Sequence, residues 1–212
     1  MKDLYALLGG TFNPVHYGHI ITSEILAQKI NLKKIILLPK YTNFYQIQPK
    51  ILIKHRIKMI KLAIKNKPLF NVNLLEIKNK IPYTIKTLQK LRNMFGYKRP
   101  LGFIIGLDNL INLDKWHKWN KLLEWCHLII LPRYSTKKYI KNKKLKKWIK
   151  DHKTTSYTSL YKKPFGYIFF SDTPYINISS TKIRYFLKNN LCCLNFIPIS
   201  IINYIKKYKL YI

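Results

Sequence analysis

Acidic residues are scarce in this chain: eight Asp and Glu stand against forty Lys and Arg, a formal charge of +32 over 212 residues. Such a balance ordinarily points to nucleic acid or an anionic membrane as partner. Arginine is scarce too, with only Arg56, Arg92, Arg99, Arg133 and Arg184, and valine is confined to Val15 and Val72. Lys, Ile, Asn and Tyr are abundant instead, all drawn from A/T-rich codons, so compositional bias accounts for the lysines. A DNA reader would use arginine for bidentate contacts to guanine. Nucleic acid is therefore not the expected partner, although the field still attracts polyanionic substrates.

Cysteine is nearly absent. Cys126, Cys192 and Cys193 are odd in number and form no C-x-x-C pair, which predicts structural thiols in a reducing, cytoplasmic compartment. Long apolar runs are missing as well. Stretches such as Ile197–Ile205 are interrupted by polar residues before reaching the ~20 positions a bilayer span requires, so no membrane association is expected. Met1-Lys2-Asp3 leads straight into an apolar segment, which predicts no signal peptide. A hydrophobic content of 48% with 14% aromatics excludes a disordered chain and suits one domain with a full core.

Short apolar segments at Leu4–Leu8, Lys34–Leu38, Val72–Ile77, Leu101–Ile105, Leu128–Leu131 and Tyr167–Phe170 read as strands. Most are continuous rather than alternating, as in parallel strands covered on both faces. Helical patterns intervene at Gly18–Ile30, Lys54–Asn66, Tyr83–Phe95, Lys115–Glu124 and Thr181–Asn189, and Ile197–Tyr208 predicts a last helix on the sheet edge. The alternation predicts an α/β fold: a Rossmann-like, doubly wound, mainly parallel sheet with helices on both faces, and ligands beyond the carboxyl ends of its strands. The domain expected is single, 1–212, with residues 136–164, crowded with lysines around Trp148, as a basic periphery.

The most informative stretch is Gly9-Gly10-Thr11-Phe12-Asn13-Pro14-Val15-His16-Tyr17-Gly18-His19, directly after the first strand. Glycines let a backbone approach a ligand closely, and the helix opening near Gly18 offers N–H groups and a positive dipole end to a phosphate. His16 and His19, three residues apart, share a helix face. The turn matches neither the Walker loop nor the dinucleotide G-x-G-x-x-G, and no H-E-x-x-H pattern or nearby cysteine completes a zinc set.

This stretch resembles the signature of nucleotidyltransferases with a His/Thr-x-Gly-His motif, here His16-Tyr17-Gly18-His19. Within that superfamily the chain is similar to the bacterial nicotinate-nucleotide adenylyltransferase family. Further landmarks are Pro82-Tyr83-Thr84, residues 103–108, Trp116, residues 128–133 and residues 177–184, in the family's order. The resemblance implies transfer of AMP from ATP to nicotinate mononucleotide, with pyrophosphate released and Mg2+ carried on the ATP phosphates rather than by protein side chains. It places the catalytic pair at His16 and His19. ATP would be bound by Gly9, Gly10, Thr11, Phe12, Gly18, Gly106, Asp108, Ser179, Ser180, Thr181 and Arg184. Asp108 also reads as a helix N-cap for 109–113, and the serines as simple caps. Nicotinate mononucleotide would meet Tyr83, Thr84 and Trp116, with Lys40 and Tyr45 as substitutes where the family's Pro-Pro-His-Lys/Arg-like loop is replaced by residues 39–46. Asn13 stands where the family commonly has Asp. Alternatives left open are phosphopantetheine adenylyl transfer, preference for the amide mononucleotide, and a basic nucleic-acid-binding module on this fold. A homo-oligomer is compatible with all of them.

Overall fold

In a computed structural model the chain is described over residues 2–41, 51–132 and 140–211. Seven strands, β1 (Tyr5–Gly10), β2 (Lys34–Pro39), β3 (Phe70–Val72), β4 (Leu101–Gly106), β5 (His127–Leu131), β6 (Lys153–Thr154) and β7 (Ile168–Phe170), form one sheet in the order β3-β2-β1-β4-β5-β7-β6. Every pairing is parallel. The order reverses between β1 and β4, which opens a crevice above their carboxyl ends.

Strand geometry explains the unbroken apolar runs. Side chains alternate between faces, so Ala6, Leu8, Ile35, Leu37, Ile104 and Ile129 enter one core while Leu7, Ile36, Leu38, Phe103, Ile105 and Leu128 enter the other. The first core is closed by helices α1 (Tyr17–Ile30), α2 (Ile53–Ala63), α8 (Ser180–Lys188) and α9 (Ile199–Lys207). The second is closed by α4 (Thr84–Phe95), α5 (Leu107–Ile111), two 3-10 turns (Leu113–Lys115 and Trp119–Glu124) and α6 (Lys143–His152). Two further short helices, α3 (Leu75–Lys78) and α7 (Ser159–Lys162), complete the chain.

Several expectations need correction. The segment expected as strand at Val72–Ile77 ends at Val72, because the Asn73 side chain accepts a hydrogen bond from the Leu75 N–H at 2.8 Å and turns the backbone into α3. The helix expected at Lys115–Glu124 is broken into the two 3-10 turns, with Lys118 in a left-handed conformation (φ 51) between them. The last helix, α9, packs against α2 on a sheet face rather than on the edge. Within the basic segment, α6 carries exposed lysines outward, buries Leu145 and Ile149, and seats Trp148 edge-on against Trp119 at 5.2 Å. Asn142 caps it, accepting from Leu145 N–H and donating to Asp114. Arg133 and residues 137–138 lie outside the described residues.

At the opposite end of the sheet from the crevice, His127 shows a settled tautomer. Its Nδ1 accepts from the Tyr167 N–H at 3.1 Å, so Nε2 carries the proton and donates to the Lys163 carbonyl at 2.9 Å. Burial pushes its pKa down to about 4, the imidazole of a structural residue.

Candidate active site

A cavity of about 330 Å³ lies over the carboxyl ends of β1, β2, β4 and β5. Of the residues expected to bind, Gly9, Gly10, Thr11, Gly18, His19, Lys40, Tyr83, Thr84, Gly106, Asp108 and Trp116 line it together. Tyr45 falls outside the described residues.

The glycines belong to β1 itself, and the turn begins only at Thr11. Their lack of a Cβ serves packing. A Cβ at Gly9 would stand 3.2 Å from the Phe103 ring and one at Gly10 3.0 Å from the Phe12 ring. Phe12 is buried and adopts φ 49, a left-handed conformation that costs a non-glycine residue about 1–2 kcal/mol. Phe12 therefore faces the core beneath the turn, and its side chain does not line the cavity.

His16 and His19 lie close, with ring centroids 3.7 Å apart and planes tilted by 35°, but are unequally placed. His16 sits just ahead of α1, is 2% exposed and is not part of the cavity wall. His19 is on the wall, its ring edge-on to Phe12 at 5.1 Å. The His16 backbone N–H donates to His19 Nδ1 at 3.3 Å, so the neutral His19 ring holds its proton on Nε2 and offers it as a donor. Gly18 permits this close approach, since a Cβ there would meet His16 Nδ1 at 3.0 Å.

Ser179, Ser180, Thr181 and Arg184 are not among the residues lining the cavity; Ser180 and Arg184 brace the turn. Ser179 caps α8 by accepting from Lys182 N–H at 3.2 Å, which realises the capping reading. Ser180 Oγ donates to the Pro14 carbonyl at 2.9 Å, and Arg184 donates to the Asn13 carbonyl at 2.9 Å and to Thr181 Oγ1 at 3.0 Å. Asp108 is not an N-cap: α5 begins at Leu107 with Gly106 as its cap, which leaves Asp108 in the first turn, where a carboxylate complements the helix dipole.

Two groups that sequence reasoning passed over complete the brace, and a third lines the cavity. Arg56, buried on α2, donates to the Thr11 carbonyl at 2.7 Å and the Lys40 carbonyl at 3.2 Å. Tyr211 donates from its hydroxyl to Asn13 Oδ1 at 2.6 Å, and burial holds its pKa far above the usual phenol range. Ser23 lines the cavity from α1 with a buried hydroxyl that has no partner among the described residues. Only long-range folding brings these together, so no local pattern announced them. Tyr211→Phe is expected to lower unfolding free energy by about 1 kcal/mol, the worth of one hydrogen bond. Urea titration checks this, and an unchanged midpoint and slope would contradict the role.

At the other end of the cavity, Lys40 lies over the Trp116 ring at 5.2 Å, Phe103 meets Trp116 edge-on at 6.4 Å, and Tyr83 stacks on His117 at 4.4 Å. Tyr83 precedes α4, so the amino end of that helix opens on the cavity at Thr84. Glu76 completes the wall, a carboxylate accepting from Thr87 Oγ1 at 2.9 Å. Burial pushes the Glu76 pKa up to about 7, and burial lowers that of Lys40. Among the described residues no group of three or more His, Cys, Asp or Glu side chains stands close enough to cage a metal ion, and no helix is long and apolar enough to cross a membrane.

The cytidylyltransferase-like family profile matches residues 7–186. A protein of Buchnera aphidicola subsp. Schizaphis graminum named "Probable nicotinate-nucleotide adenylyltransferase" is 50% identical, over 100% of this chain and 97% of its own. A protein of the same name from Yersinia pestis is 41% identical over 99% and 96%. Among solved structures, Plasmodium falciparum nicotinic acid mononucleotide adenylyltransferase complexed with NaAD superposes with a TM-score of 0.75 at 20% identity, covering 99% of this chain and 97% of that one, a likeness of fold. With the strand-end cavity, the His16–His19 pair and the similarity along the full length in agreement, the chain belongs to the cytidylyltransferase-like family, among its nicotinate-nucleotide adenylyltransferases.

Proposed function

We propose that the protein transfers AMP from ATP to nicotinate mononucleotide, forming the deamidated dinucleotide and pyrophosphate, as a step of NAD biosynthesis. The observation that supports this most is that one cavity joins a phosphate turn bearing His19 to an aromatic wall at Trp116 and Tyr83. A nucleotide and a pyridine mononucleotide need those two surfaces side by side.

The chemistry asks for no general base. A phosphate monoester has a second pKa of about 6, so at neutral pH the nucleophile is already ionised. One of its oxygens attacks the α-phosphorus of ATP, the bond to the bridging oxygen breaks, and pyrophosphate leaves with the electron pair. The protein's share is to align two anions and neutralise charge, and alignment by itself supplies about 7–11 kcal/mol. The N–H groups of Gly10, Thr11 and Phe12 and the amino end of α1 receive phosphate oxygens. His19 donates from Nε2 to the transferring phosphoryl group while His16 backs its ring. Gly106 and Asp108 hold the nucleoside side of ATP. Ser180 and Arg184 brace the turn, and with Ser179 and Thr181 stand beside the outgoing phosphates. A divalent cation such as Mg2+ would be held by the triphosphate rather than by protein side chains, and would supply further charge neutralisation.

Trp116 provides the face for the pyridine ring. The amino end of α4 at Tyr83 and Thr84 receives its carboxylate through N–H groups, with Lys40 alongside; Tyr45, also expected to contribute, lies outside the described residues. The chain acts as one nucleotidyltransferase domain with the described part of its basic segment, residues 140–164, at its periphery, in the cytoplasm, in an assembly open to homo-oligomers.

Purified protein incubated with ATP, magnesium and either nicotinate or nicotinamide mononucleotide is expected to release pyrophosphate, faster with the acid. Absence of turnover with both overturns the reading; faster turnover of the amide overturns its specificity.

A further inference from the structure

The wall that would meet the pyridine carboxylate already holds a buried carboxylate. Glu76 on α3 is 7% exposed and lines the cavity together with Trp116, Tyr83, Thr84 and Lys40, whose ammonium lies over the Trp116 ring at 5.2 Å. Its oxygen is 2.9 Å from Thr87 Oγ1, which is 3.5 Å from the Tyr83 carbonyl oxygen. The charge acting on it is the Lys40 ammonium, brought in by the end of β2. From the remaining walls face His117, stacked on Tyr83, and across the cavity His19 and Asp108; Lys78 and Lys80 flank it along its own segment.

This arrangement accommodates either protonation state. With Glu76 ionised, the Thr87 hydroxyl donates to it. With Glu76 protonated, its O–H donates to Thr87 Oγ1, and the Thr87 hydroxyl turns to the Tyr83 carbonyl. Neither state leaves a buried donor without an acceptor, so the proton can come and go without breaking the wall.

The pyridinium nitrogen is cationic in both mononucleotides, so the acid differs from the amide by one negative charge, and beside an ionised Glu76 in a partly desolvated pocket that added carboxylate would meet repulsion. A neutral amide would not. We propose that Glu76 is a specificity-determining positioning residue that takes up one proton when a pyridine carboxylate binds beside Lys40. The proton neutralises Glu76 and leaves Lys40 to pair with the substrate. The inference rests on the proposed placement of the pyridine ring at Trp116. The pKa of about 7 held by Glu76 before substrate enters places the exchange within reach of neutral pH.

Comparing the two mononucleotides isolates the effect. Titration of the shared phosphate, of His19 and of ATP is common to both and cancels in the ratio of their KM values. For an obligatory proton on a group near 7, that ratio, acid over amide, should rise about tenfold from pH 6 to pH 8. In Glu76→Gln, which keeps the hydrogen bonding and loses the titration, the ratio should become flat. A slope that survives in Glu76→Gln assigns the proton to another group, such as His117, and overturns the proposal. Binding calorimetry of the unaltered protein at pH 7.5 in buffers of differing ionisation enthalpy gives a readout that needs no variant. Net proton uptake greater with the acid than with the amide is expected, and equal uptake overturns the proposal. If both mononucleotides are turned over but the ratio is flat with pH, only the role of Glu76 fails. If neither is turned over, the proposed function fails and this inference with it.

Discussion

Replacing His19 by alanine is expected to lower kcat by about 10²–10³, the cost of one preorganised donor at a centre where charge develops. The ring lies in the first turn of α1 on the cavity wall, so its removal should leave the fold intact and ATP binding only moderately weakened. The informative comparison is His19→Gln. A glutamine amide donates a hydrogen bond but cannot shuttle a proton at neutral pH. If His19 stabilises charge, Gln should recover part of the loss, and the residual pH profile should follow the substrate's phosphate. If His19 moves protons, Gln should be as inactive as Ala. Steady-state kinetics between pH 6 and pH 9 separates the two, and an unchanged kcat in His19→Ala removes the residue from the mechanism.

Arg92→Met is expected to cost about 3–5 kcal/mol of unfolding free energy, a large part of a total that is typically about 5–15 kcal/mol. The Arg92 side chain is fully buried on α4 and donates to the carbonyls of Arg99 (2.6 Å), Pro164 (2.6 Å), Gly96 (3.4 Å) and Trp125. These carbonyls belong to the segments that lead into β4, β5 and β7, at the end of the sheet away from the cavity. Removing the guanidinium leaves several buried acceptors without donors at once. Lysine should not rescue the loss, because a single ammonium lacks the planar fork that reaches carbonyls in several directions. Urea unfolding of Arg92→Met and Arg92→Lys checks both statements; a loss under 1 kcal/mol would contradict them. Specific activity per folded molecule should be retained, which distinguishes this site from His19.

These two arginine and histidine positions illustrate how differently residues disclose themselves. His19 was legible because its neighbours in the chain explain it. A strand, a turn and a helix start are contiguous, so the phosphate site is written in eleven consecutive residues, 9–19. Arg56, Arg92 and Tyr211 were not legible, since their partners lie up to 198 positions away and nothing in the local pattern names a carbonyl acceptor. Glu76 was hidden by a misread segment. Its run of apolar neighbours looks like a strand, while an Asn73 turn makes it a short helix that faces the cavity.

By itself, the sequence determined the class of fold and the end of the sheet where ligands belong. Continuous apolar runs can only be satisfied between two layers of helices, and a parallel sheet has one ligand-facing edge. It also carried, in the His16–His19 motif, the family resemblance from which the kind of chemistry was expected. The tertiary structure alone decided that His19 meets the cavity while His16 does not, that Ser180 and Arg184 brace the turn, and that Lys40 and Glu76 line one cavity with Trp116. Those are relations across crossovers, set by which strand lies beside which and by how side chains from distant segments divide a limited buried volume. Periodicity reports which residues are buried, but only packing decides what each one faces.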